Sequence, residues 1–193
     1  MKVIEQEIHS LKNSISEMWA LVHQQLYNAG EAMLTGDKEL AYKVISRERR
    51  VNAFELKIDS DCEDIIALYA PVAIDLRFVL AMYKINTNLE RLGDFAESIA
   101  RFAGNLPEGE PIDPQLVKET RVEEMLSELL SMISLTKEAF EKESSEIASR
   151  IFLKDNLIDE INHNSTAIIA IYNPANALPL CSSIYLAIIA VEL

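Results

Sequence analysis

The sequence predicts an all-α protein built from two similar three-helix bundles. The 193 residues include only 5 glycines and 6 prolines, too few for the many tight turns of a β-protein. Apolar residues recur at steps of three and four over long segments, which is the period of an amphipathic helix. The second half also repeats the order of the first: long helix, long helix, proline turn, helix.

Turn residues delimit the three helices of the first half. The first helix carries an apolar stripe over residues 4–33, and Asp37 can cap the second helix. The second helix is expected to end before Pro71, because proline disfavours helical geometry in the residue that precedes it. The third helix is predicted from about Val72 to Gly104.

A segment rich in helix breakers, residues 106–113, divides the chain near its middle. It separates a first repeat, residues 1–105, from a second repeat, residues 114–193. The prediction is therefore two repeats, each a three-helix bundle, joined by a short linker.

The second half is predicted to form helices over residues 116–141, 145–172 and 180–193. Residues 164–191 carry no charge, but prolines interrupt them, so we expect two buried helices joined by a turn rather than a membrane span. Shifting the two halves over each other leaves Glu90 without a counterpart after Leu193. The second bundle is thus expected to lack its C-terminal end, which would expose apolar helix faces and favour a homodimer.

Charge and cysteine content restrict the classes of partner. With 18 basic and 31 acidic residues the net charge is −13, so we expect no binding to nucleic acid and at most peripheral contact with a membrane. Cys62 and Cys181 form no CxxC pair and lie among apolar residues. Both are predicted to be buried thiols of a protein in the reducing cytoplasm.

Two pairs of carboxylates share one spacing. Glu55 and Asp59 on the second helix, like Glu90 and Asp94 on the third, stand four residues apart and therefore on one helix face. The short turn at Pro71 makes these helices antiparallel neighbours, so four carboxylates could converge into an oxygen-rich metal site. The alternative is an ordinary solvated helix face.

Three further features carry weaker signals. Gly93 is unfavourable inside a helix and indicates either a tight helix crossing or the close approach of a cluster. Asp159 and His163 form another pair four residues apart, for which metal ligation and simple packing are both open. No nucleophile, phosphate-loop, zinc-protease or dinucleotide motif occurs, so an enzyme is not expected.

A basic cluster stands in the middle of the second helix. Arg47, Arg49 and Arg50 could bind phosphate or a partner protein. The alternative is a solvated face whose arginines pair with neighbours such as Glu48.

Three ordered motifs resemble those of the PhoU family of phosphate-uptake regulators. They are E-x-K-I-D from Glu55, P-V-A-x-D-L-R from Pro71 and L-E-R-L-G-D from Leu89. The resemblance covers the first half well and continues, more weakly but in the same order, through the second half. It implies the family fold of two pseudo-symmetric three-helix bundles.

The resemblance also implies a set of metal ligands. Members carry E(D)xxxD motifs that bind iron or zinc, in some cases as multinuclear clusters, and the residues that match them here are Glu55, Asp59, Glu90 and Asp94. Asp159 matches a motif position of the second repeat, whereas His163 departs from the expected acid.

The matching residues Asp75 and Arg77 in the D-L-R motif are expected to support the cluster, to contact a partner or to form a structural pair.

The implied role is regulatory and not enzymatic. Family members repress the phosphate-starvation response by linking the ATPase of a phosphate ABC transporter to a sensor histidine kinase. The alternative is a PhoU-like cytoplasmic domain associated with a sodium/phosphate cotransporter. A ferritin-type di-iron oxidase would need repeated Glu-x-x-His pairs, which the sequence lacks.

Overall fold

The computed structural model describes residues 3–106 and 112–172, and within them every regular element is a helix. The first bundle consists of α1 (Val3–Thr35), α2 (Lys38–Tyr69) and α3 (Ala73–Asn105). The second part consists of α4 (Pro114–Thr120), α5 (Val122–Lys142), α6 (Ser145–Ser149) and α7 (Phe152–Tyr172). The all-α prediction is confirmed.

Local signals end the long helices where the sequence predicts. Gly36 follows α1 with a φ of 72°, in the left-handed region that glycine adopts without strain. The side chain of Asp37 then accepts a hydrogen bond from the backbone N–H of Leu40 at 2.9 Å and caps α2. At the other end, α2 stops at Tyr69, two residues before Pro71.

The core of the first bundle is the set of stripes that the period of three and four predicts. Each of the three helices contributes fully buried apolar side chains, whose burial is the main source of stability. They include Leu11, Ile15, Met18 and Val22 from α1, Val44, Val51 and Ile58 from α2, and Met82, Leu89, Ala96 and Ile99 from α3.

The second part has more helix breaks than the sequence predicts. The helix expected over residues 116–141 is interrupted at Arg121, whose φ of 53° is left-handed. Arg121 donates hydrogen bonds to Glu124 at 2.7 and 2.8 Å and to Glu160 of α7 at 3.1 Å. These contacts hold the kink, so that α4 packs against α7 while α5 also packs against α1.

The helix expected over residues 145–172 is also two helices, α6 and α7. The side chain of Ser144 accepts from the backbone N–H of Ile147 and caps α6, which ends after five residues. The predicted helix 180–193, Cys181 and the expected missing end of the second bundle lie outside the described residues. The division into two repeats stays a prediction.

One helix, α1, packs against both parts of the molecule. The indole N–H of Trp19 donates to the backbone oxygen of Ile133 in α5 at 3.2 Å, and its ring stacks on Phe140 at 5.7 Å between centroids. A Cβ on Gly30 would lie 3.1 Å from Leu126, which shows how closely α5 approaches α1.

Within residues 3–106 and 112–172, no helix is long and apolar enough to cross a lipid bilayer.

Candidate metal centre

A glycine sets how closely α2 approaches α3. A Cβ built on Gly93 would lie 2.8 Å from Cγ1 of Val51, closer than real Cβ contacts. Of the two explanations that the sequence left open for Gly93, the structure shows the tight helix crossing. Because Glu90 and Asp94 flank Gly93 on α3, the same crossing brings their carboxylates near Glu55 of α2.

A buried asparagine ties the two helices together beside this crossing. Asn86 of α3 is fully buried and its side-chain N–H groups donate to the backbone oxygen of Glu55 at 2.9 Å and to Oδ1 of Asp59 at 2.8 Å. It therefore fixes the position of the Asp59 carboxylate. The Oδ1 atom of Asn86 is itself buried and has no hydrogen-bond partner.

Five carboxylates of α2 and α3 form what we call the acidic cluster: Glu48, Glu55, Asp59, Glu90 and Asp94. Burial raises the pKa of Glu90 to about 7, with further contributions from Asp94, Glu55 and Glu48. Burial and the charges of Asp59 and Asp94 raise the pKa of Glu55. Burial and Glu97 raise the pKa of Asp94, against the lowering effect of its hydrogen bond with Glu90.

Glu48 also belongs to the acidic cluster, although the spacing of the carboxylate pairs did not predict it. Its side chain is 8% exposed; Oε2 accepts from Asn52 at 2.8 Å, and Oε1 is buried without a partner. Burial, Glu97 and Asp94 raise its pKa. Its position seven residues before Glu55, on the same helix face, was a signal available in the sequence. The alternative in which the arginine cluster pairs with Glu48 is not what the structure shows, because no ion pair joins them in the described residues.

Few cations balance the acidic cluster. Arg101, whose charge lowers the pKa of Glu48, forms its ion pair with Glu97 at 2.6 Å, and Lys57 of α2 pairs with Asp61 at 2.6 Å. In the part of the chain that the structure describes, no ion pair reaches Glu55, Asp59, Glu90 or Asp94. The negative charge of the cluster is therefore only partly offset, through the effect of Arg101 on Glu48.

The chemistry of the donors fits a hard cation. All side chains of the acidic cluster offer oxygen, which suits iron, manganese, magnesium or zinc, and a cation would remove the repulsion that raises these pKa values. The buried Oε1 of Glu48, which accepts no hydrogen bond, is a further oxygen that could ligate a cation. However, within residues 3–106 and 112–172 no three His, Cys, Asp or Glu side chains stand close enough together to hold one ion without moving. A bound ion would have to draw them together by side-chain rotation.

Comparison with known proteins identifies the family. Residues 15–103 match the family described as "PhoU domain". The "Phosphate-specific transport system accessory protein PhoU homolog" of Aquifex aeolicus (strain VF5) is 35% identical over 159 residues, which cover 81% of this chain and 69% of that protein. The chain belongs to the PhoU family.

Further PhoU proteins agree in sequence and in structure. The "Phosphate-specific transport system accessory protein PhoU" of Escherichia coli (strain K12) is 34% identical over 154 residues, 80% of this chain and 62% of that protein. The crystal structure of PhoU from Pseudomonas aeruginosa has a TM-score of 0.83 at 26% identity, covering 97% of this chain and 90% of that one. The crystal structure of the phosphate transport system regulatory protein PhoU from Streptococcus pneumoniae has a TM-score of 0.79 at 28% sequence identity. The match covers 98% of this chain and 88% of that one.

Two of the candidate metal ligands, Asp159 and His163, lie on a different helix from the acidic cluster. Asp159 and His163 are exposed on α7, which packs against α4, α5 and α6. A second metal site around them stays a prediction.

The D-L-R motif also lies elsewhere. Asp75 and Arg77 are exposed at the start of α3 and line a cleft of about 720 Å³ with His9 and Lys12 of α1. At about 1.5 Å per residue, Arg77 stands roughly 20 Å along α3 from Glu90. No ion pair joins Asp75 to Arg77 among the described residues. This placement suits contact with a partner better than support of the acidic cluster.

The thiol of Cys62 in α2 is buried. The Sγ of Cys62 lies 3.9 Å from the backbone oxygen of Val79, and burial raises the pKa of the thiol to about 12 with help from Asp59, Asp61 and Glu63. A thiol that stays protonated is a poor nucleophile. The expectation of a buried Cys62 is confirmed.

Proposed function

We propose that this PhoU-family chain is a phosphate-signalling adaptor: a negative regulator of phosphate uptake and of the phosphate-starvation response that binds metal through its acidic cluster. The observation that carries the proposal is the extent of the likeness, over about four fifths of the chain, to relatives named as accessory proteins of phosphate-specific transport. Its partners are the ATPase of a phosphate ABC transporter and a sensor histidine kinase. Its role is to bind these proteins and not to catalyse a reaction.

The acidic cluster supports the metal part of this proposal. Glu55, Glu90 and Asp94 would hold an iron or zinc ion, with Asp59 held in place by Asn86. The ion would supply positive charge that offsets the mutual repulsion of these carboxylates. With that repulsion removed, the contact of α2 with α3 is firmer, and the surface that the two helices present to a partner is better ordered.

Metal content tests the metal part. The full chain is purified without chelator and analysed by elemental mass spectrometry, beside a Glu90→Ala/Asp94→Ala variant. The control, Glu63→Ala/Asp64→Ala, removes two exposed carboxylates of α2 that lie outside the acidic cluster. We expect iron or zinc at one or more ions per chain, lost in the first variant and retained in the control. Equal metal in all three proteins, or none in any, would leave the cluster as a packing feature.

A reporter of the phosphate-starvation response tests the regulatory part. In a bacterial host that lacks its own PhoU protein, the reporter is active even in high phosphate if the adaptor is required for silencing. We expect expression of this chain to silence the reporter and the ATPase of the phosphate transporter to co-purify with it. An active reporter in the presence of soluble, folded chain would contradict the adaptor function.

A further inference from the structure

The outward face of α2 carries a line of exposed residues. The first of them, Tyr42, also lies close to α3, since a Cβ on Gly104 would stand 3.9 Å from its ring. Tyr42, Ser46, Arg49, Ala53 and Leu56 follow one another at alternating steps of four and three, so they lie in one row along the helix. All five are exposed, Tyr42 to 60% and Leu56 to 70%. We call this row the outer seam of α2.

Unpaired cations flank the outer seam. Lys43, Arg47 and Arg50 are exposed beside it, and Arg49 lies within it. None of these four side chains forms an ion pair among the described residues, although the chain carries 31 acidic residues. Glu48, the acid nearest in sequence, is buried toward α3 and bonded to Asn52. Other cations of the described residues do form ion pairs, among them Lys12, Arg101, Arg121 and Lys142.

We infer that the outer seam of α2 docks an acidic amphipathic helix of a partner protein. The alternating spacing is the one by which two helices pack side by side. Ser46 and Ala53 are small enough to let a partner backbone approach, and Tyr42 and Leu56 offer apolar anchors at either end. The arginines match carboxylates on the flanks of the incoming helix, to which guanidinium groups bind with two hydrogen bonds.

Charge and shape favour this occupant over other anions. The seam is the convex side of a helix, so its arginines cannot surround a small anion such as phosphate. An anionic membrane would meet a protein with a net charge of −13, whose overall field repels it. A single acidic helix needs only the local strip of about two turns between Lys43 and Arg50. The inference rests on the proposed adaptor function, for which it names the chemistry of one partner surface.

A designed peptide provides the probe. It is a 21-residue helix with leucine at alternating four- and three-residue steps and glutamate on both flanks, and its matched form has glutamine in place of every glutamate. Binding to the full chain is measured by fluorescence anisotropy at low and moderate salt. We expect the glutamate peptide to bind at least tenfold more tightly than the glutamine peptide, with a difference that shrinks as salt is raised.

Variants assign the binding to the seam. Arg47→Gln/Arg50→Gln is expected to abolish the preference for the glutamate peptide. Leu56→Ser is expected to lower the affinity for both peptides about threefold or more. The control, Lys118→Gln/Arg150→Gln, removes the same charge from exposed sites on other elements and is expected to leave binding within twofold. Circular dichroism verifies that every variant is folded.

Several outcomes would overturn the inference. These are equal binding of the two peptides, an unchanged preference in Arg47→Gln/Arg50→Gln, and binding of inorganic phosphate or of phosphatidylserine vesicles through these arginines in place of the peptide. The proposed adaptor function fails separately, when the wild-type chain does not silence the reporter. A chain that silences the reporter but ignores the peptide refutes the docking inference alone.

Discussion

Replacement of Glu90 by glutamine should stabilise the metal-free protein at neutral and alkaline pH. Burial and neighbouring acids raise the pKa of Glu90 from 4.5 to about 7. At about 1.4 kcal/mol for each tenfold change in proton affinity, the whole shift corresponds to roughly 3 kcal/mol. Because Glu90 is partly exposed and solvent screens its charge, we expect about 1 to 2 kcal/mol. Glutamine keeps an N–H donor for Asp94 without the charge.

The pH dependence follows from the direction of the shift. Between about pH 4.5 and 7 folded Glu90 keeps a proton that the unfolded chain has already released. The folded state therefore binds more protons, and the free energy of unfolding contributed by this group falls as the pH rises through that window. Below about pH 4.5 the group is protonated in both states and contributes no slope. The increase in the free energy of unfolding caused by Glu90→Gln should thus be small at pH 5 and reach its full size by pH 8.

Urea unfolding with chelator present measures this effect. The fluorescence of Trp19, the only tryptophan of the chain, reports unfolding at pH 5 and pH 8. Glu63→Gln is the matched control, since Glu63 is exposed on α2 and lies outside the acidic cluster. A variant at position 90 that is no more stable than wild type at pH 8, or that gains equally at both pH values, would refute the reasoning.

Two further substitutions test how the helices pack. Gly93→Ala should lower the free energy of unfolding by about 1 kcal/mol or more, because the clash of its Cβ with Val51 outweighs the roughly 1 kcal/mol gain in helix propensity. Urea unfolding should show favourable coupling when Gly93→Ala is combined with Val51→Ala, which removes the clashing side chain. Strictly additive effects of the two substitutions would contradict the contact. Trp19→Phe keeps a stacking ring but loses the hydrogen bond to the backbone of Ile133, so the free energy of unfolding should fall by about 1 kcal/mol. Circular dichroism during urea unfolding measures this free energy. Unchanged stability would show that the hydrogen bond does not hold α5 on α1.

Local signals predicted the first bundle because each of its boundaries is set by residues beside it. Gly36 has a positive φ, Asp37 caps the next helix with its own side chain, and Pro71 excludes helix immediately before it. The apolar stripes then determined which face of each helix is buried. The convergence of Glu55 with Glu90 also followed, because one short turn joins two helices of known direction.

The parts that sequence reasoning missed depend on residues far apart in the chain. The break at Arg121 has no glycine or proline to announce it, and its partner Glu160 stands 39 residues further on. The burial of Glu48 depends on how closely α3 crosses α2, which Gly93 permits but does not fix by itself. The separation of Asp159 from the acidic cluster depends on the packing of α7 on α4 and α5, which no local pattern reports.

The shared position of α1 has a consequence for how the chain is assembled on the ribosome. Trp19 is synthesised 114 residues before Ile133, whose backbone oxygen it binds. The first bundle can close as soon as α3 has emerged, while the outer side of α1 is still in contact with water. The second half then meets a first bundle that is already folded, so α5 packs onto a preformed surface of α1. Any pause in synthesis between α3 and α5 would leave Trp19 and the side of α1 around it accessible to other chains.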